Sequence, residues 1–209
     1  MLLTLYYAPN TCALATHIVL EEAGADYDLA RVDFAKTEQR GADYLKINPK
    51  GRVPALATEH GILTETPALL IYVAERYSNE GLAPLDDAFD LAQAQAFNSY
   101  LCSTVHVAHA HRMRGHRWAD DENTIAGMQR AVPRSVGAAF QLIEDDLLKG
   151  PWVLGEAFSV CDAYLFTLAQ WLEADGVDIA KLPRVIDHRR RVSEREAVIR
   201  AIEAETADA

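Results

Sequence analysis

The chain has 209 residues, half of them apolar and 24 % charged, with a formal net charge of −11. That composition is an ordinary globular one, long enough to bury a core in one large domain or two small ones. The acidic balance argues against a general nucleic-acid binder, whose affinity rests on neutralising phosphates with Lys and Arg, and against docking on anionic membrane.

Three cysteines, Cys12, Cys102 and Cys161, are few, widely separated and odd in number. This is the pattern of a reducing, cytoplasmic compartment rather than of a disulfide framework. Residues 1–20 carry no charged side chain, and Ala13-Leu14-Ala15 mimics a signal-peptidase site. No Lys or Arg precedes Arg31, however, and Pro9-Asn10 interrupts the apolar run, so the segment reads as a strand and not as an export signal.

In chain order, Leu2 to Tyr7 is that strand, closed by the turn cluster Ala8-Pro9-Asn10. A helix follows from Cys12 to a capping glycine, Gly24, and a second strand runs from Tyr27 to Phe34. After an irregular segment, Val53–Leu56 and Ile62–Thr64 flank Glu59-His60-Gly61, a hairpin loop whose glycine suits a positive φ. Thr66 is a good N-cap and Pro67 a good first helical residue for a helix to about Tyr77. Strand, helix, strand, irregular segment, hairpin and helix make a small mixed α/β unit.

The composition shifts at Ser78 to Asp87, where Ser, Asn, Gly and Pro84 cluster as a linker. Beyond it the periodicity is helical throughout: Ala88 to about Met113, Thr124 to Leu148, Ser159 to Ala174, and a broken pair from Leu182 to about Glu205. The expected organisation is an α/β domain over residues 1–78, a linker over 79–87 and an all-α domain over 88–209.

Three elements carry chemistry. Cys12 follows a strand and a turn at a helix start, where unpaired N–H groups and the helix dipole favour a thiolate. Ala13-Leu14-Ala15 follows it, so a dithiol partner is missing and a reactive thiol there needs an external one. The other reading of Cys12 is an inert, space-filling cysteine, and position alone leaves both open. Val53-Pro54 suits a rigid turn before a strand; trans is the commoner bond, while a cis bond would expose the Val53 backbone to an extended ligand. Glu65-Thr66 at a helix start suits the carboxylate and ammonium of an α-amino acid head group, although most such sequences are only caps.

Taken in order, Tyr7, Pro9 and Cys12, then Val53-Pro54, then Glu65-Thr66 resemble the glutathione-binding domain of glutathione transferases, the bacterial beta class in particular. Phe158-Ser159-Val160-Cys161-Asp162 is similar to that family's helical-domain capping motif, and the resemblance covers nearly the whole chain. It implies a thioredoxin-like N-terminal domain with an all-α helical-bundle C-terminal domain. Glutathione is the implied co-substrate, and a two-fold homodimer the implied assembly.

The resemblance also implies roles. Cys12 would meet the glutathione sulfur and form a mixed disulfide with it, with His106 beside the sulfur. Tyr7 matches the tyrosine that activates the thiol in other classes. Val53, ahead of a cis Pro54, would pair its backbone with the cysteinyl part, and Glu65 and Thr66 would hold the γ-glutamyl end. Lys36, one residue from the aligned position Thr37, is assigned with Arg52 to the glycyl carboxylate. Ala13 departs from the serine that often follows the cysteine.

His106, His109, His111, Arg112, Arg114, His116 and Arg117 cluster on or after the first long helix. No Cys, Asp or Glu lies between residues 103 and 119 to complete a metal ligand set, so no metal is expected. His109 and Arg112, with His106, are expected to line an acceptor pocket for anionic or hydrogen-bonding substrates. The expected activity is transfer of glutathione to electrophiles, glutathione-dependent thiol–disulfide exchange through Cys12, or both. The alternative is a non-catalytic ligand carrier or complex subunit of the same fold.

Overall fold

A computed structural model describes residues 2–207. Two compact units divide the chain: Met1–Leu91 with Ser193–Ala209, and Ala92–Val192. The last segment thus belongs with the first unit and not with the helices that precede it in sequence.

The first unit is built on a four-stranded sheet of order β2-β1-β3-β4. Strand β1 (Leu3–Tyr7) runs parallel to β2 (Tyr27–Arg31) and antiparallel to β3 (Ala55–Thr58), which pairs antiparallel with β4 (Gly61–Thr64). The parallel pair needs a crossover, which α1 (Ala13–Glu22) supplies. Leu3, Leu5 and Tyr7 alternate inward along β1, and Ile18, Val19, Leu20, Leu56, Leu69, Leu70 and Val73 complete the core. Helix α3 (Thr66–Arg76) follows β4.

Gly24, just past the end of α1, has φ +57°, and Gly61 in the hairpin has φ +127°, so both turns use the conformation that glycine adopts without strain. Strand β2 stops at Arg31, earlier than the apolar run suggests, because Asp33 turns the chain by accepting from Ala35 N at 2.9 Å. The irregular stretch contains a short helix, α2 (Ala42–Ile47), too brief to show a period. Val53 and Pro54 precede β3 instead of opening it, and their peptide bond is cis.

In the second unit, α4 (Ala88–Tyr100, begun four residues earlier), α5 (His106–Arg114), α6 (Glu122–Leu142), α7 (Val160–Ala169) and α8 (Pro183–Ser193) pack around Leu101, Val105, Val136, Phe140, Tyr164 and Phe166. The first two expected helices each contain a π turn, at Leu101–Val105 and Ile143–Leu147. Helix α7 ends at Ala169, short of Ala174. Its start carries the expected capping box: the Asp162 carboxylate accepts from Ser159 N and Ser159 Oγ, both at 2.8 Å. Helix α9 (Glu196–Ala207) returns to α1 in the first unit, where Arg195 Nε and Arg200 Nε meet Glu22 at 2.5 Å and Glu21 at 2.6 Å.

Candidate functional site

Cys12 is the N-cap residue of α1 and half-buried. Thr11 sets the turn before it: its Oγ1 donates to Ala8 O at 2.7 Å and accepts from Ala13 N at 3.3 Å. The Ala13 N–H is thereby used by a hydroxyl, while Leu14 N and Ala15 N reach back to Thr11 O and Cys12 O at 3.3 Å. Across from this turn, Cys12 Sγ donates to Val53 O at 3.6 Å. The sulfur thus faces a carbonyl oxygen, an acceptor for a thiol proton. Two of the expected site elements, 41 residues apart in sequence, therefore meet at the sulfur.

The loop from Asn48 to Pro54 is held from below. Tyr44 Oη and Asn48 Nδ2 donate to Arg52 O at 2.7 and 2.6 Å, and Asn48 is 1 % exposed. Burial pushes the Tyr44 hydroxyl up to about 12, so it remains a donor. These bonds fix the Val53 backbone, whose C=O already meets the sulfur. The Arg52 side chain itself stands on the surface.

Glu65 has φ +75° and ψ +115°, a conformation an L residue holds only at a cost of about 1–3 kcal/mol. Glu65 takes the N-cap position, so Thr66 is the first helical residue and Pro67 the second, and the helix begins one residue earlier than the sequence pattern suggests. Thr66 is buried, and Glu65 points a mostly exposed carboxylate outward, where Lys50 Nζ approaches Oε1 to 2.9 Å. Lys36 lies apart on the surface, paired with Asp33 at 2.9 Å. Asp33 holds the Lys36 ammonium above its usual range and is itself held below the carboxylate range by that ammonium. Tyr7 is wholly buried at the end of β1, its ring centroid 6.2 Å from that of His17.

In the second unit, α5 brings His106, His109 and Arg112 to one face. His109 stacks on Trp171, centroids 4.1 Å apart and planes at 23°, and His106 stands 5.3 Å from the same ring. Asp175 binds His109 Nδ1 at 2.7 Å and Arg112 Nε at 3.0 Å, while Arg112 also donates to Ala174 O at 3.3 Å. His109 and Arg112 are therefore committed to a buried carboxylate, and His109 and His106 both lie against the Trp171 indole. Trp171 and Asp175 escape a sequence reading because they sit past the end of α7, more than fifty residues from α5. Lys50 escapes it because Asn-Pro-Lys-Gly reads only as a turn. Among the described residues, no group of three or more His, Cys, Asp or Glu could hold a metal ion. No described helix is long and apolar enough to cross a membrane.

Residues 1–75 match the family model for the glutathione S-transferase N-terminal domain, and residues 127–191 that for its C-terminal domain. The glutathione S-transferase GstA of Escherichia coli O157:H7 is 30 % identical over 203 residues, covering 96 % of this chain and 98 % of that protein. A glutathione transferase homologue from Sulfitobacter, solved with bound glutathione, superposes with a TM-score of 0.94 at 46 % identity over 97 % of this chain and 98 % of that one. The beta-class glutathione S-transferase of Sphingomonas chungbukensis gives 0.85 at 32 % identity, with the same coverage of both chains.

Proposed function

The chain belongs to the glutathione S-transferase family, and on that premise we propose that Cys12 is the group through which it handles the glutathione sulfur. The protein is a glutathione transferase, and glutathione is its co-substrate. The observation that carries the Cys12 reading is the 3.6 Å contact between Cys12 Sγ and Val53 O, a thiol and a fixed backbone acceptor brought together by a helix start and a cis-proline loop.

Val53, Pro54, Glu65 and Thr66 form the glutathione-binding set. Val53 offers backbone groups to the cysteinyl part, Glu65 a carboxylate to the α-ammonium, and the start of α3 its N–H groups to the α-carboxylate. Arg52 and Lys36 are the cations for the glycyl carboxylate. Arg52 is the better placed, because its backbone belongs to the fixed loop. Tyr7, enclosed in the core, serves the fold more than the sulfur. His106 is assigned to catalysis, and His109 and Arg112 to acceptor recognition through the Trp171–Asp175 cluster.

Two reactions are open to this set. In conjugation the glutathione thiolate forms a C–S bond to an electrophilic carbon, and the leaving group departs with the electron pair. In exchange the Cys12 thiolate attacks a glutathionylated disulfide, forming Cys12–S–S–glutathione and releasing the other sulfur as thiolate. A second glutathione thiolate then attacks that bond, yielding oxidised glutathione and regenerating Cys12. We assign the protein to the cytoplasm on its cysteine usage, and to a homodimer on the exposed face of α4 described below.

Mass spectrometry of the intact protein after treatment with oxidised glutathione tests the assignment. One glutathione is expected on Cys12, removed by a reductant. An adduct confined to Cys102, or none at all, overturns the role given to Cys12.

A further inference from the structure

The cation on Glu65 belongs to the chain itself. Lys50 Nζ lies 2.9 Å from Glu65 Oε1 and donates to Thr64 Oγ1 at 2.6 Å. Its position is prepared by the backbone. Lys50 N donates to Asn48 Oδ1 at 3.1 Å, and Gly51 N donates to Asn48 O at 2.9 Å. Gly51 has φ +60°, and a Cβ there would come within 2.7 Å of Gln39 O, so the turn has little freedom to rearrange. The loop that fixes the Val53 carbonyl against Cys12 thus also aims an ammonium at Glu65.

We propose that Lys50 is a specificity-determining residue of the γ-glutamyl subsite, an internal ammonium that competes with the α-ammonium of glutathione for Glu65. The proposal rests on the reading of Glu65 as the ammonium anchor. An ammonium has three donors and no acceptor, so two of them share a carboxylate only by standing close to one another as like charges. A bound glutathione either pushes the Lys50 ammonium off Glu65, on its flexible four-carbon stem, or tolerates its repulsion. Both routes cost affinity for a ligand that carries the α-amino group, and neither taxes one that lacks it.

The side chains are 43 % and 60 % exposed. Screening by water and salt therefore limits the effect to roughly two- to five-fold in affinity. The opposite role is chemically distinct: a Lys50 that held the ligand's α-carboxylate would strengthen binding with or without the amino group.

Titration calorimetry of the full-length protein separates these cases, using glutathione and its des-amino analogue, in which a glutaryl group replaces the γ-glutamyl one. Lys50→Gln is expected to tighten glutathione roughly two- to five-fold at low salt and to leave the analogue unchanged. Unchanged or weaker glutathione binding, or an equal gain for both ligands, overturns the proposal. Glu65→Gln tells its failure from failure of the subsite reading. If Glu65→Gln leaves glutathione affinity intact, both fall; if it weakens binding while Lys50→Gln does not tighten it, only the competition falls.

Discussion

His17 of α1 and Glu205 of α9 meet in a buried hydrogen bond, Nδ1 to Oε1 at 3.1 Å, across 188 residues of sequence. The contact ties the C-terminal helix to the helix that begins at Cys12. Tyr7 and Tyr27 enclose the imidazole, with centroids 6.2 and 5.7 Å away, and Tyr27 Oη donates to Glu21 at 2.5 Å. Glu21 in turn takes Arg200 of α9 at 2.6 Å. The Arg200–Glu21 pair is partly exposed and contributes little; the buried pair carries the stakes.

Burial raises the Glu205 carboxyl above its usual range, and the hydrogen bond from His17 only partly offsets this. A carboxyl raised in the folded state contributes stability that is full below the ordinary glutamate pKa, about 4.3, and is lost as pH rises through the folded value. Glu205→Gln removes that loss. Its melting temperature relative to the parent is expected to climb between pH 5 and pH 8. A relative melting temperature that falls over that range would mean that the ionised pair stabilises the helix.

Cys12→Ala is expected to abolish the glutathione adduct and to cut disulfide-reductase activity by roughly 100-fold or more, since the attacking atom is gone. Conjugation, which uses the sulfur of glutathione itself, should fall much less. Parallel assays with a glutathionylated disulfide and an aromatic electrophile decide the matter, and equal loss of both activities would refute the division of labour.

Much of the first unit is legible in the sequence because its signals are local. Pro9-Asn10 before Cys12, the glycine after α1 and Thr66-Pro67 each act within a turn of the chain, and each lands within a residue or two of its expected place. The long-range pairings are another matter. Lys50 meets Glu65 from another element, Asp175 reaches His109 across 66 residues, and α9 joins α1 from the far end of the chain. No periodicity encodes such contacts. The π turns escape for a related reason: one extra residue in a turn changes the helix face without interrupting its apolar run.

Asp162 is a heavily used carboxylate of the second unit. Wholly buried, it accepts from Val153 N at 2.7 Å, from Ser159 N and Oγ at 2.8 Å, and bonds His188 Nε2 at 2.8 Å. Asp162→Ala strands these groups and is expected to cost about 3–5 kcal/mol, against about 1 kcal/mol for Ser159→Ala. Urea denaturation measures both, and similar costs would show that the carboxylate acts only as a cap.

Asp175 holds His109, which stacks on Trp171, together with Arg112, so, on the acceptor assignment proposed for this cluster, Asp175→Asn is expected to disturb the acceptor side alone. The acceptor KM is expected to rise roughly three- to ten-fold, as one charge-assisted bond is weakened, while the glutathione Kd stays unchanged. Steady-state kinetics with the acceptor varied, set beside glutathione calorimetry, make the comparison. A shift in glutathione affinity as large as the change in acceptor KM would remove the cluster from acceptor recognition.

On α4 the buried side is Ala94, Phe97 and, one turn on, Leu101, while Ala92, Ala96, Ser99 and Ser103 are exposed. Those four positions recur at helical spacing, giving one face of small side chains over which another helix approaches closely. Phe89, three residues before Ala92, is 72 % exposed, a large apolar group beside a smooth surface. Two copies of such a face, related by a two-fold axis, match each other without any further partner, and a stable pair is expected to bury about 1,200 Å² or more. Ala96→Glu sets two like charges against each other at that contact, while a solvated helix face accepts it without cost. Sedimentation velocity at micromolar protein should give a species of twice 23.1 kDa for the parent and a shift toward the monomer for Ala96→Glu. A parent that sediments as a monomer refutes the dimer, and a variant that remains dimeric moves the interface off α4.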